Sequence, residues 1–128
     1  MAGETPDSIR VLVADADEAY AHALRELIER QPGLRVVGTA LEGRAAIALA
    51  GELRPDAAVI DLQLPELDAV SAVARLRQEH PSLCLIVLAD SDDPAQHDAV
   101  RAAGADAVLL KGELIEVLLD RLNAVRPA

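Results

Sequence analysis

Five short strand-like runs begin at positions 9, 34, 57, 83 and 107, one every roughly 23–26 residues. They are Ile9–Ala14, Leu34–Thr39, Ala57–Ile60, Leu83–Ala89 and Ala107–Leu110, and most are apolar throughout. An apolar run of this length, bounded by turn residues, fits a strand buried on both faces, as in a parallel sheet. Between the runs the period changes. Tyr20, Ala23, Leu24, Leu27 and Ile28 share one helical face, opposite Arg25, Glu26, Glu29 and Arg30. A second helix is predicted over Gly43–Leu53, a third over Asp68–Gln78 with Val70, Val73 and Leu76 inward, and a fourth from an Asp93-Pro94 start to Gly104. Gly112 leads into a fifth that ends near Ala124.

Strand–helix alternation of this kind gives an α/β fold, a doubly wound five-stranded parallel sheet with helices on both faces and right-handed crossovers. The expected strand order is 2-1-3-4-5. At 128 residues the chain is one domain, read as a polar lead-in over 1–8, the folded unit over 9–125 and a tail over 126–128.

Composition excludes more than it selects. A net charge of −10 argues against direct nucleic-acid binding, and Tyr20 is the only aromatic, so no stacking platform exists for bases or flat cofactors. Cys84 lies in an apolar run and reads as a buried core thiol, without a disulfide framework. No stretch approaches a membrane span and the N-terminus is no signal peptide, so a cytoplasmic location is the expectation.

In open α/β sheets, ligands bind past the carboxyl ends of the strands. Standing there are Asp15 after the first strand, Asp61 after the third, Ala89 after the fourth and Lys111 after the fifth. An ammonium ending an apolar strand needs a partner, and a salt bridge from Lys111 to Asp61 is the expected one. Two facing carboxylates repel unless a cation or proton intervenes, which fits a hard ion such as Mg²⁺. A carboxylate so placed can also attack phosphorus.

Several motifs, Arg10-Val-Leu-Val-Ala-Asp15, Val36-Val-Gly-Thr-Ala40, Glu52-Leu-Arg-Pro-Asp56, Asp61-Leu-Gln-Leu-Pro65, Ala103-Gly-Ala-Asp106 and Leu109-Leu-Lys111, give the chain a recognisable texture. Over about Ile9 to Val125 it resembles the CheY-like, flavodoxin-like receiver domain of bacterial response regulators. The nearest subfamily is NarL/FixJ, whose members usually carry a LuxR-type helix-turn-helix. The resemblance implies a non-enzymatic role in two-component phosphorelay signalling, with a histidine kinase or other regulatory protein as partner. It implies Asp61 as phosphoacceptor, Lys111 as phosphoryl contact, and Asp15, Asp61 and the Gln63 backbone carbonyl as Mg²⁺ ligands.

Three positions depart from the family pattern. Ala16 stands where a second acid ligates Mg²⁺ directly, Ala89 where a hydroxyl contacts the phosphoryl group, and Val108 where an aromatic reorients. Two other readings therefore stand beside a phosphorylated receiver. One is a pseudo-receiver controlled by protein contact. The other is a small-ligand or cofactor carrier on the same fold, disfavoured because Asp15-Ala16-Asp17-Glu18 would repel phosphate and no glycine-rich loop follows the first strand.

The remaining polar residues receive plainer readings. Asp17 is expected to cap the first helix rather than bind metal. Asp90 would add charge beside the site, and Asp92 and Asp93 belong to a loop and cap. His22, His80, His97, Arg75 and Arg77 are expected on the surface. The last helix carries more apolar residues (Leu114, Ile115, Val117, Leu118, Leu119, Leu122, Val125) than one stripe needs, which fits either a wide core face or a homodimer surface.

Overall fold

The structure is a computed structural model and describes residues 8–113 and 115–126. Five parallel strands, β1 (Ile9–Ala14), β2 (Leu34–Ala40), β3 (Ala57–Asp61), β4 (Cys84–Ala89) and β5 (Ala107–Leu110), form one sheet in the order β2-β1-β3-β4-β5. The helices are α1 (Glu18–Glu29), α2 (Gly43–Leu53), α3 (Ala69–Glu79), α4 (Pro94–Ala103) and α5 (Ile115–Asn123). Their boundaries lie within a few residues of those expected from hydrophobic period and caps. α5 starts later than predicted, after a turn through Gly112 and Glu113; Leu114 falls outside the described residues.

Successive side chains of a strand point to opposite faces, and here both faces are apolar. Leu12, Ala58, Ile60, Leu85 and Val87 face α2, α3 and α4, meeting Ile47, Val73, Leu76 and Val100. Val11, Val13, Val59, Ile86 and Leu88 face α1 and α5, meeting Leu24, Ile28, Leu118 and Leu122. The fully buried strand positions explain the unbroken apolar runs. They also place β1 and β3 side by side, with Ala14 opposite Ile60, so that the residues just past them meet.

The caps are those the side-chain chemistry favours. Asp17 accepts from the amides of Ala19 and Tyr20, Asp68 from Ser71, and Asp93 from Ala95 ahead of Pro94. Asp17 thus serves α1, as expected.

Three plain readings are corrected. Val70 points outward, 37% exposed, and borders a shallow groove with Ala95 and Ala99, because α4 presents alanines that cannot reach it. Arg77 is no solvated residue. Its guanidinium donates to the carbonyls of Gly104, Pro81 and Leu83 and pairs with Asp106 at 2.8 Å. Those carbonyls lie in the α3–β4 connection and at the end of α4, and a five-donor fork serves several at once. Arg77→Ala is expected to lower the unfolding free energy by about 1–2 kcal/mol, read from urea midpoints. His97 is also buried, its Nε2 donating to the Ser91 carbonyl at 2.9 Å, which pins the β4–α4 loop to α4. A lone imidazole can pack once one nitrogen has a backbone acceptor, and sequence gives no sign of that acceptor.

The surplus apolar residues of α5 are largely used inside. Leu118 and Leu122 are buried, and Ile115, Leu119 and Val125 pack against the same core; Val117 alone among the described apolar residues of α5 is exposed. Cys84 is half-buried rather than enclosed, and burial raises its thiol pKa.

Candidate functional site

Each residue of the site is fixed by the strand it follows. The amide of Asp15 donates to the Ala40 carbonyl and that of Lys111 to the Ala89 carbonyl, extending the ladders one step beyond β1 and β5. Asp61 is the last residue of β3, and the next amide, of Leu62, bonds the Leu88 carbonyl. The loop beyond it turns at Glu66, whose φ is 72°, and docks on α2 where the Gly43 amide meets the Pro65 carbonyl. A Cβ at Gly43 would come within 2.7 Å of the Leu67 carbonyl oxygen, so this approach demands glycine.

The strand ends bring Asp15, Asp61 and Lys111 together, with side chains 3%, 8% and 16% exposed. Lys111 does not choose Asp61 as its closest partner. Its Nζ lies 2.9 Å from Asp15 Oδ2, 3.4 Å from Asp61 Oδ1 and 3.9 Å from Asp90 Oδ1. Asp61 Oδ1 also accepts from the Gln63 amide at 3.3 Å, whereas Asp15 uses its other oxygen, Oδ1, for the Asp17 amide. The expected Lys111–Asp61 contact is therefore the second, longer one.

One ammonium thus faces three carboxylates, an excess of negative charge in a mostly buried place. Burial raises the pKa of Asp61 and the charge of Asp15 adds to the rise, against the Gln63 hydrogen bond and Lys111, which lower it. For Lys111 burial works against the charge, but the hydrogen bond to Asp15 and the charges of Asp61, Asp15 and Asp90 prevail and raise its pKa. Among the described residues, the Gln63 amide and the Lys111 contact of Asp61 both fall on Oδ1. The site offers a carboxylate beside an ammonium.

Sequence reasoning missed one member. The ring of Tyr20 lies over Lys111, with Nζ 4.4 Å from its centroid, within cation–π range. Tyr20 was expected only as a core residue of α1. The available signal was its place in the first turn after the Asp17 cap, next to the end of β1, in a chain with no other aromatic.

Comparison with known proteins decides the family. A family model described as the response regulator receiver domain matches residues 11–123. The chain belongs to that family. A nitrate/nitrite response regulator, NarP of Escherichia coli, is 33% identical over 115 residues, covering 90% of this chain and 54% of that protein. A protein-glutamate methylesterase/protein-glutamine glutaminase of Anaeromyxobacter dehalogenans is 36% identical over 104 residues, 81% of this chain but 30% of that protein. The signal receiver domain of NarL from Mycobacterium tuberculosis superposes with a TM-score of 0.84 at 25% identity, over 93% of this chain and 99% of that one. The chain spans about a third to a half of the length of these two curated relatives. It is a receiver domain of the two-component response regulators, on the doubly wound fold expected.

Within the receiver, the three departures have distinct surroundings. Ala16 is exposed, Ala89 is completely buried, and Val108 is partly buried against the α2–α4 face. No group of three His, Cys, Asp or Glu side chains among the described residues is arranged to hold a metal ion. Two carboxylates, Asp15 and Asp61, and backbone oxygen near Gln63 remain. They are hard oxygen donors, and Mg²⁺ commonly binds through one or two carboxylates while keeping several waters. The residues fit that ion, with one side-chain ligand fewer than the family pattern. No described helix is long and apolar enough to cross a membrane.

Proposed function

We propose that this receiver is an atypical one that accepts a phosphoryl group on Asp61 Oδ2 and does so slowly. The observation that carries the reading is the division of labour on one carboxylate. Oδ1 takes the Gln63 amide and the Lys111 contact, and in this reading Oδ2 is the nucleophile. Oδ2 attacks phosphorus, an O–P bond forms, and the bond from phosphorus to the donor's leaving atom breaks with its electrons going to that atom. Lys111 faces the growing negative charge on the transferred group. A Mg²⁺ ion bound by Asp15, Asp61 and the Gln63 carbonyl would supply further charge neutralisation. The phosphodonor partner is a histidine kinase or a small acyl phosphate, and the setting is cytoplasmic.

The domain itself has no further enzymatic role in this reading; the similarity to a methylesterase lies within the receiver. The similarity to NarP and NarL supports a part in transcriptional control through a DNA-binding segment, since a chain of this acidity is poorly suited to hold DNA itself.

Ala16 and Ala89 favour a second reading, a pseudo-receiver governed by contact alone. Losing a hydrogen bond to a charged group costs about 1.5–3 kcal/mol, and Ala89 supplies none. A two-dimensional amide NMR titration with Mg²⁺ and then beryllofluoride separates the two. Shifts at Asp15, Asp61 and Lys111 in the wild type that vanish in Asp61→Asn are the expected result. An unchanged wild-type spectrum leaves the pseudo-receiver.

A further inference from the structure

We infer that Tyr20 is a positioning residue for Lys111 and the element through which the position of that lysine is passed to α5. The lysine's role as phosphoryl contact rests on the proposed function; its coupling to Tyr20 does not.

The argument begins with what the ring touches. Tyr20 presents its face to Nζ of Lys111 at 4.4 Å. Ring and lysine together line a cleft with Leu88, Leu109, Ile115 and Leu118, at the junction of α1, β5 and α5. Lys111 thus reaches from the charged cluster into this cleft, and Tyr20 is the one aromatic ring it meets there, because the chain has no other aromatic. Tyr20 also feels the whole cluster electrically. Burial raises the pKa of its hydroxyl, Lys111 lowers it, and Asp15, Asp61 and Asp90 raise it.

The lysine has two nearby stations. It rests 2.9 Å from Asp15 and 3.4 Å from Asp61, so added negative charge at Asp61 shifts the balance between partners only half an ångström apart in distance. A cation that moves off the ring face forfeits a cation–π contact. The ring then repacks against the cleft beside it. The open volume of that cleft is only about 20 Å³, so the ring adjusts by a small tilt against its neighbours and not by a new rotamer.

The other face of the sheet lacks equivalent parts. Ala89 has no hydroxyl to follow the site, and Val108, packed against the α2–α4 core, has no ring to turn. The route toward α4 is bare, whereas the route through Tyr20 toward α5 is furnished.

Apart from three histidines, Tyr20 is the only source of ring-current shifts, and it is the only strong intrinsic fluorophore. The test follows methyl resonances of Ile115, Leu118 and Val100, together with tyrosine emission. It compares wild type, Asp15→Asn, Tyr20→Leu and Asp15→Asn/Tyr20→Leu without any added ligand. Asn keeps the oxygen that accepts the Asp17 amide, while removing the charge that holds Lys111. The expected result is that Asp15→Asn changes tyrosine emission and shifts the Ile115 and Leu118 methyls, leaving Val100 in place. The methyl shifts are lost when Tyr20 is Leu. Tyr20→Phe, which keeps the ring face, restores them. Methyls of α5 that move equally with and without the ring, or emission indifferent to Asp15→Asn, overturn the inference. Beryllofluoride added to the same samples then reports on Asp61 separately. Silence at the Asp61 amide sinks the phosphoryl reading while leaving the ligand-free coupling intact.

Discussion

Lys111→Met is expected to destabilise the fold by about 2–4 kcal/mol at neutral pH and low salt, read from urea or thermal unfolding. The figure is somewhat below the cost of breaking a fully buried pair, since the side chain is 16% exposed. The methionine fills the same space, so lost packing contributes little. What remains is the mutual repulsion of Asp15 and Asp61, now without a cation, with Asp90 nearby. Two further observations separate this cause from general damage. An excess of Mg²⁺ should recover part of the loss, because the ion takes over the neutralising role. Lowering the pH should also recover part of it, because protonation removes the repulsion. A variant whose loss is indifferent to both would mean that the lysine is structural rather than electrostatic.

The wild type carries a milder form of the same conflict. The pKa of Asp61 is raised in the folded state by burial, above the usual value of 3.8. Above that folded pKa, the fold bears a charged carboxylate that the unfolded chain would solvate better, so stability is reduced at neutral pH. As pH falls through the folded pKa the group binds its proton earlier than in the unfolded chain, and the penalty is relieved. Asp61→Asn is therefore expected to be more stable than wild type at pH 7, with the difference shrinking toward acid. Lys111 acts at the opposite end. Its folded pKa is raised, so its contribution is complete below 10.5 and is lost as pH rises through the folded value. Unfolding free energies measured from acid to alkaline pH on the two proteins check both signs.

How much of this was legible beforehand divides along physical lines. The sheet was legible because strands buried on both faces leave unbroken apolar runs, as in Ala57–Ile60. The site residues were legible because they interrupt those runs at their carboxyl ends. What was hidden depended on groups far apart in sequence. Arg77 looked solvated because the carbonyls of Leu83 and Gly104 that it serves lie on other elements, and the same holds for His97 and Ser91 across a loop. The order of partners around Lys111 is a matter of half an ångström between side chains 50 and 96 residues away in sequence. Tyr20 lay on a helix face read as inward, which holds for Leu24 and Ile28 although Ala23 is exposed and Ala21 buried in its stead. That face meets the lysine that follows β5 as well as apolar core.

Ala16→Asp is expected to raise Mg²⁺ affinity by about 10–100-fold, the scale on which single groups of a metal site act. The position is exposed and immediately follows Asp15, so a new carboxylate joins the rim of the crevice without being desolvated. The apo protein should lose about 1 kcal/mol or less, from one more like charge in partly screened surroundings. Mg²⁺ titrations followed by tyrosine emission or amide NMR measure the effect directly. An unchanged affinity would place the metal elsewhere or nowhere. The comparison with Ala89→Thr sharpens the point. Ala89 is completely buried, so the extra atoms cost about 1–3 kcal/mol of overpacking, against about 1.5–3 kcal/mol gained from a hydroxyl bonded to a charged phosphoryl group. The hydroxyl brings little net gain, and only when the phosphoryl group is present, whereas the carboxylate at position 16 acts at once. The two alanines are thus unequal departures: one leaves a vacancy on an open rim, the other is built into the packing of the sheet.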